Sequence, residues 1–423
     1  MAHLTTRASY DKLIKRINRY PQGAPHSELL FKILQILFSE KEAQLVSLLP
    51  LRPFTIKRAA RIWKKSEKET RIILDDLAGR GNIVDIENNG NPQYVLPPPM
   101  AGFFEFSLMR VRGDIDQKLL SELFYEYLNV EEDFVRELFT EGDTQLGRVF
   151  ADEPVIESES LHVLDYERAS EVIKTATHIG VGTCYCRHKM EHVDRVCGAP
   201  MEICLTFNTT AYSLTKHGVI RQIDVNEGLD LLQQARDNNL IQFGENVCER
   251  VNFICNCCGC CCEALLAAQR FGFLNPVNTT NFIPRVIEEG CNGCGICVEL
   301  CPVEAMALIS ANDPRSKKKK IARLHEKLCL GCAICVRNCA KGALKLVKRK
   351  ETVLTPLNTT QRTVLMAIER GCLQNLIFDR AIWNHRALAL VFGVILKLAP
   401  VKKIMAMKQV RSRYLEYVDA KLR

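Results

Sequence analysis

Eight cysteines between residues 291 and 339 repeat one spacing twice, and no other feature restricts the surrounding fold as tightly. Cys291, Cys294, Cys297 and Cys301 form the first run, followed at once by Pro302, and Cys329, Cys332, Cys335 and Cys339 form the second. Each reads C-x2-C-x2-C-x3-C, the spacing that wraps a [4Fe–4S] cluster. Three thiolates two residues apart on a tight loop each reach one corner iron of a cubane, while the fourth points toward a second cluster. Gly293, Gly295 and Gly331 give the loops conformations that a Cβ forbids. Aligned, residues 291–308 and 329–346 are identical at nine of 18 positions, which reads as an internal duplication. Four-cysteine zinc sites are the alternative, but they favour two C-x2-C pairs held apart.

On these motifs the chain resembles the bacterial-type two-cluster ferredoxin domain over residues 282–347. The resemblance implies one cluster on Cys291, Cys294, Cys297 and Cys339, and another on Cys329, Cys332, Cys335 and Cys301. Two departures are visible. Ala340 replaces the proline usual after the fourth cysteine, and Ala333 stands where the first motif has Gly295. Both are positions that tune a cluster's potential.

A second cysteine field precedes the duplication. Cys184, Cys186, Cys197 and Cys204 open it, and Cys255, Cys257, Cys258, Cys260, Cys261 and Cys262 crowd into eight residues. Thiols packed so densely oxidise or scramble unless metal holds them. At least one further metal centre is therefore expected here, most naturally iron–sulfur, drawing on both stretches. Ten thiols would fill two cubanes with two left over, or one unusual cluster plus a reactive pair. Cys248 and Cys372 read as ordinary small core residues. Cys257-Cys258-Gly259 resembles the CCG element of heterodisulfide-reductase-type proteins, whose clusters handle thiols and disulfides, although the paired repeats of that family are absent. Arg187 beside the thiolates favours their charged form. His188 and His192 are near enough in sequence to ligate metal, though isolated histidines are more often packing residues.

Twenty of the 423 residues are cysteine, none before Cys184. Clustering of this kind indicates metal ligation in a reducing compartment rather than an extracellular disulfide scaffold. With 47% apolar and 25% charged residues the composition is that of a globular chain. The N-terminal segment lacks an apolar signal region, and the longest apolar run, 387–396, is about half a membrane span. A cytoplasmic, oxygen-sensitive protein without a transmembrane segment is expected.

The fold class expected is α+β, in five regions. Residues 1–100 carry helical patterns at 27–39, 55–63 and 66–77, the last opened by a Ser66–Glu69 capping box, then a hairpin across 87–91. This order resembles a winged-helix domain. Its third helix mixes Lys68 and Arg71 with Glu67, Glu69, Asp75 and Asp76, which argues against specific DNA binding. Residues 101–156 read as a helical connector, and 157–275 as a mixed, cysteine-rich domain with helices at 165–177 and 226–238. Residues 276–349 form the two-cluster domain, and 350–423 a helical C-terminal region. Lys317, Lys318, Lys319 and Lys320 read as a solvated loop or a dock for an acidic redox partner. The apolar helix at 386–398 could rest on a membrane surface or pack on protein.

The expected activity is electron transfer through two [4Fe–4S] clusters to or from the upstream centre. One rival is an enzyme reducing a thiol, disulfide or other small substrate there. The other is a redox-sensing regulator acting through the winged helix. No glycine-rich nucleotide loop is present to favour the enzyme.

Overall fold

The computed structural model describes residues 2–378 apart from 89–90, 160, 162, 312–319, 351–352 and 354. The helices of the front region begin where the sequence supplies caps. Ser27 accepts hydrogen bonds from the amides of Leu29 and Leu30 ahead of the helix Glu28–Leu37. Ser39 and Ser66 form complete capping boxes with Glu42 and Glu69, opening the helices Glu40–Ser47 and Glu67–Gly79. Thr55 caps Ile56–Trp63. Strands β1 (Phe54–Thr55), β2 (Val84–Asn88) and β3 (Asn91–Val95) form an antiparallel sheet in the order β1-β3-β2. Two helices lie outside the sequence expectation, Ala2–Ile17 and Glu40–Ser47.

The middle of the chain is an antiparallel sheet of six strands: β4 (Gly147–Val149), β5 (Ile179–Thr183), β6 (Glu202–Phe207), β7 (Arg221–Gln222), β8 (Ile241–Glu245) and β9 (Phe253–Cys257). Their order is β4-β8-β9-β6-β5-β7. The first of these comes from the region read as helical. Three residues are too few to show a period, and the pairing of β4 with β8 is a long-range contact. Where one helix was expected over 165–177, extended backbone at Arg168 separates a 3-10 turn, Asp165–Glu167, from the helix Ala169–Thr175. The helix Val225–Asp237 is capped by Asp224, whose carboxylate accepts the Glu227 amide at 2.9 Å.

The duplicated region forms two hairpin-like pairs. Strand β10 (Phe282–Val286) pairs with β13 (Leu344–Lys348), and β11 (Met306–Ser310) pairs with β12 (Lys320–Leu324), both antiparallel. The strand before the first motif thus lies against the strand after the second, and neither copy closes alone.

A continuous apolar core runs from the front helices through Phe103, Phe104, Phe124, Tyr127 and Phe134 to Cys184, Cys204, Cys257 and Cys262. A polar clamp adds to it. Asp85 on β2 accepts hydrogen bonds from Ser213 at 2.6 Å and Lys216 at 2.5 Å and sits 3.1 Å from His217 Nε2. The fold is therefore mixed α and β, with helices around small antiparallel sheets. No described helix is long and apolar enough to cross a membrane. The expected features at 317–319 and 386–398, and the rest of the C-terminal region from 379 on, lie outside the described residues.

Candidate metal centres

Each duplicated motif places its first two cysteines on a loop and its third in the short helix that follows, Ile296–Glu299 in one copy and Ile334–Arg337 in the other. The loops turn through the left-handed region at matching positions, Gly293 at φ +70° and Gly331 at φ +75°. A Cβ at either would collide with backbone, 2.3 Å from Lys320 O in one case and 2.3 Å from Phe282 O in the other. The next left-handed residue is Gly295 in the first copy and Ala333, at φ 62°, in the second. The departure seen in sequence is thus a strained residue in an otherwise repeated turn.

The fourth cysteines cross between the copies. Cys339 lines one cavity with Cys291, Cys294 and Cys297. Cys301 faces the other triplet. Burial, opposed by a backbone hydrogen bond and reinforced by Cys301, pushes the Cys329 thiol up to about 11. Burial, with Cys329 and Cys301 adding repulsion, pushes Cys332 up to about 12. Buried thiols that raise one another in this way demand a cation before all can ionise.

The upstream field resolves into two separate groups, a division the sequence does not reveal. Six thiols lie beside one another in a closed ring in the order Cys184, Cys186, Cys262, Cys257, Cys255, Cys204, each acted on by the two next to it. All six line one cavity. The sheet builds most of the ring. Cys204 lies on β6 opposite Gly182 of β5. Cys255 and Cys257 alternate on β9, so both face the same side, and Asn256 between them turns away to donate to Ile203 O at 2.8 Å. Cys184 and Cys262 occupy the N-cap positions of the helices Tyr185–His192 and Glu263–Phe271, where the helix end favours a negative sulfur. Their ring neighbours pull Cys255 and Cys262 down to about 5 and Cys184 well below the usual thiol value, while Cys186, Cys204 and Cys257 are pushed up.

The second group is Cys197, Cys258, Cys260 and Cys261, whose sulfurs all lie within 4.8 Å of one another. Among the described residues this is the only set of thiols, imidazoles or carboxylates so compact. The ring is therefore wider than the shell of one ion.

Two buried donors in the ring cavity have no partner, Arg187 Nε and the Tyr185 hydroxyl. Both fit a sulfur-rich occupant that accepts hydrogen bonds. Burial opposes the Arg187 charge, but Cys184, Cys258, Cys204 and Cys257 around it hold the guanidinium protonated. Its other nitrogens donate to Pro200 O at 3.0 Å and Asn256 O at 2.9 Å, fixing it between ring and tetrad. Glu105 also lines the cavity, and burial, reinforced by Cys255, pushes its carboxyl well up. Behind the ring, fully buried Lys189 pairs with Glu263 and donates to Asn129 Oδ1 at 2.5 Å. This pair ties together the two helices capped by Cys184 and Cys262.

Sequence reasoning named all ten upstream thiols but missed Glu105, Tyr185 and the Lys189–Glu263 pair. Glu263, directly after Cys262, was the available signal for the last. His188 is not drawn to either group, because its Nδ1 lies 2.8 Å from Leu108 O.

Residues 290–343 match the family described as 4Fe-4S dicluster domain. No curated protein matches the sequence. The match covers only this part of the chain. It makes that part an iron–sulfur domain of the [4Fe–4S] type, with a general role in electron transfer.

Proposed function

We propose that the chain is an iron–sulfur electron-transfer protein linking two [4Fe–4S] clusters in the duplicated loops to a further cluster held by the six-thiol ring. Cys291, Cys294, Cys297 and Cys339 would hold one cluster, and Cys329, Cys332, Cys335 and Cys301 the other. Bound clusters would supply one-electron carriers. The observation that carries this reading is a direct contact between the two cysteine regions. Gly259 in the upstream run packs on Pro302, the residue after Cys301, so closely that a Cβ would lie 2.5 Å from Pro302 O. Gln269 Nε2 bridges the contact, donating to Gly259 O and Pro302 O at 2.9 Å each.

The ring cavity supports a second reading, an oxidoreductase component acting on a small substrate. Beyond the thiols its wall is formed largely by Met100, Phe106, Met109, Phe139, Phe243 and Phe253, with Glu105, Arg187, Tyr185 and Asn252 among its polar groups. Such a lining suits a compact, largely apolar molecule. The front region, read as a winged helix, would serve as a docking module, since its β2 strand is committed to the Asp85 clamp. A redox partner protein would meet the lysines at 317–320, and the working compartment would be the reducing cytoplasm.

Anaerobic iron, acid-labile sulfide and EPR measurements on two full-length variants test the proposal. Cys294→Ser should lose or convert one cluster while the other keeps its reduced EPR signal. The double variant Cys255→Ser/Cys257→Ser should lose iron and sulfide while both duplicated loops keep theirs. Unchanged iron content in both would overturn it.

A further inference from the structure

We propose that Cys197, Cys258, Cys260 and Cys261 form a mononuclear centre, a closed tetrathiolate site for one tetrahedral ion, zinc or iron, separate from the cluster site of the ring. The proposal rests on the reading that the upstream thiols bind metal, and it divides them by geometry. Cys197 Sγ lies 3.6 Å from Cys258 Sγ and 3.8 Å from Cys261 Sγ, and Cys260 and Cys261 are 3.7 Å apart. Four sulfurs held about 2.3 Å from a tetrahedral ion lie about 3.8 Å from one another. A disulfide would bring two of them to about 2 Å, well inside the separations found.

The same molecule supplies the contrast. In a cubane each thiolate sits on a different iron, so the sulfurs must stand farther apart than around one ion. Cys291, Cys294, Cys297 and Cys339 line a common cavity without forming a set within 4.8 Å, whereas the tetrad does form one. The donor set then narrows the metal, because tetrahedral S4 sites belong to zinc or iron. Four protein ligands leave no open position, so the centre binds no substrate.

Its position gives it work to do. Cys197 comes from the segment between the helix Tyr185–His192 and β6, and the other three ligands from the run after β9. The ion would join those segments across more than 60 residues, a closure whose entropic cost rises only slowly with length. Gly259, flanked by two of the ligands, is the residue that packs on Pro302. The centre would hold the contact surface between upstream field and iron–sulfur domain in place, while Cys257 and Cys262 on either side of the run serve the ring.

Full-length protein prepared without oxygen tests this through zinc, iron and acid-labile sulfide per chain, in wild type, Cys260→Ala and Cys197→Ala. Cys260 is exposed, so its side chain adds little to packing, and Cys197 probes the site from the other segment. Each variant should lose about one metal equivalent with no loss of sulfide. If that metal is zinc, X-ray absorption at the zinc edge of the wild type should give four sulfurs at about 2.3 Å and no metal neighbour. If it is iron, mild oxidation of the wild type should give a high-spin ferric EPR signal that both variants lack. Loss of sulfide along with the metal, a metal neighbour at the zinc edge, or unchanged metal content would overturn the proposal. Failure of the broader reading is distinguishable, because wild-type protein would then hold no more metal and sulfide than a Cys255→Ser/Cys257→Ser variant.

Discussion

The duplicated loops and the upstream field both gather thiols, but by opposite means. In the loops a short spacing is repeated and two left-handed residues per copy bend the chain around the site, so most of the geometry is local. In the field, strand register, two helix N-caps and a buried ion pair assemble the ring from segments up to 78 residues apart (184 to 262). The loops would keep their geometry if much of the distant structure were altered. The ring would not.

That contrast is broken most directly at Lys189. Replacing it with Met strands the Glu263 carboxylate in the core and should cost about 4 kcal/mol, the typical penalty for removing one partner of a buried pair. Denaturant unfolding should register the loss, and iron retention should fall for the ring but not for the duplicated loops. Equal loss from both regions would erase the distinction between them.

A smaller effect is expected at the Asp85 clamp, which secures the front region to the ring's sheet. Burial raises the carboxyl, but hydrogen bonds from His217, Lys216 and Ser213 outweigh it and hold the group well below the usual carboxylate range. A depressed carboxyl stabilises the fold above its unfolded value, near pH 4, and loses that contribution as pH falls toward its folded value. Asp85→Asn should therefore cost about 2 kcal/mol, level from pH 8 to 5 and shrinking below. Thermal unfolding across that range checks the sign, and a penalty that grows on acidification would contradict it.

The smallest effect belongs to the loops. Ala333→Gly removes a Cβ from a left-handed position but adds backbone entropy to the unfolded chain. A net gain of about 0.5 kcal/mol follows from the two opposing contributions. Guanidine midpoints of the two proteins, compared without oxygen, measure it. Destabilisation instead would mean that the Ala333 methyl matters more to packing than its backbone strain.

What was legible in the sequence follows the same division. The spacing of Cys291 to Cys301 and of Cys329 to Cys339 carries its own geometry, and the third expected front helix announces itself through the Ser66–Glu69 capping box. The split of the ten upstream thiols does not. Cys257 and Cys258 are neighbours in sequence, yet the end of β9 sends one to the ring and the other to the tetrad. Only knowledge of the strand's extent and of its partner β8, which pairs Ile241 with Cys257, separates them, and both depend on contacts remote along the chain. The C-x-C step at 255–257 was a partial clue, since alternate residues of a strand share a face. Glu105 left no clue at all, because nothing near it in sequence marks a cavity wall.

The crossing of Cys339 into the cavity of the first motif also sets an order in time. A nascent chain has made every ring thiol once Cys262 is added, whereas the first duplicated site lacks a wall until Cys339 emerges, 77 residues later. Metal delivery during synthesis would thus meet the innermost site first and the two outer sites almost together at the end.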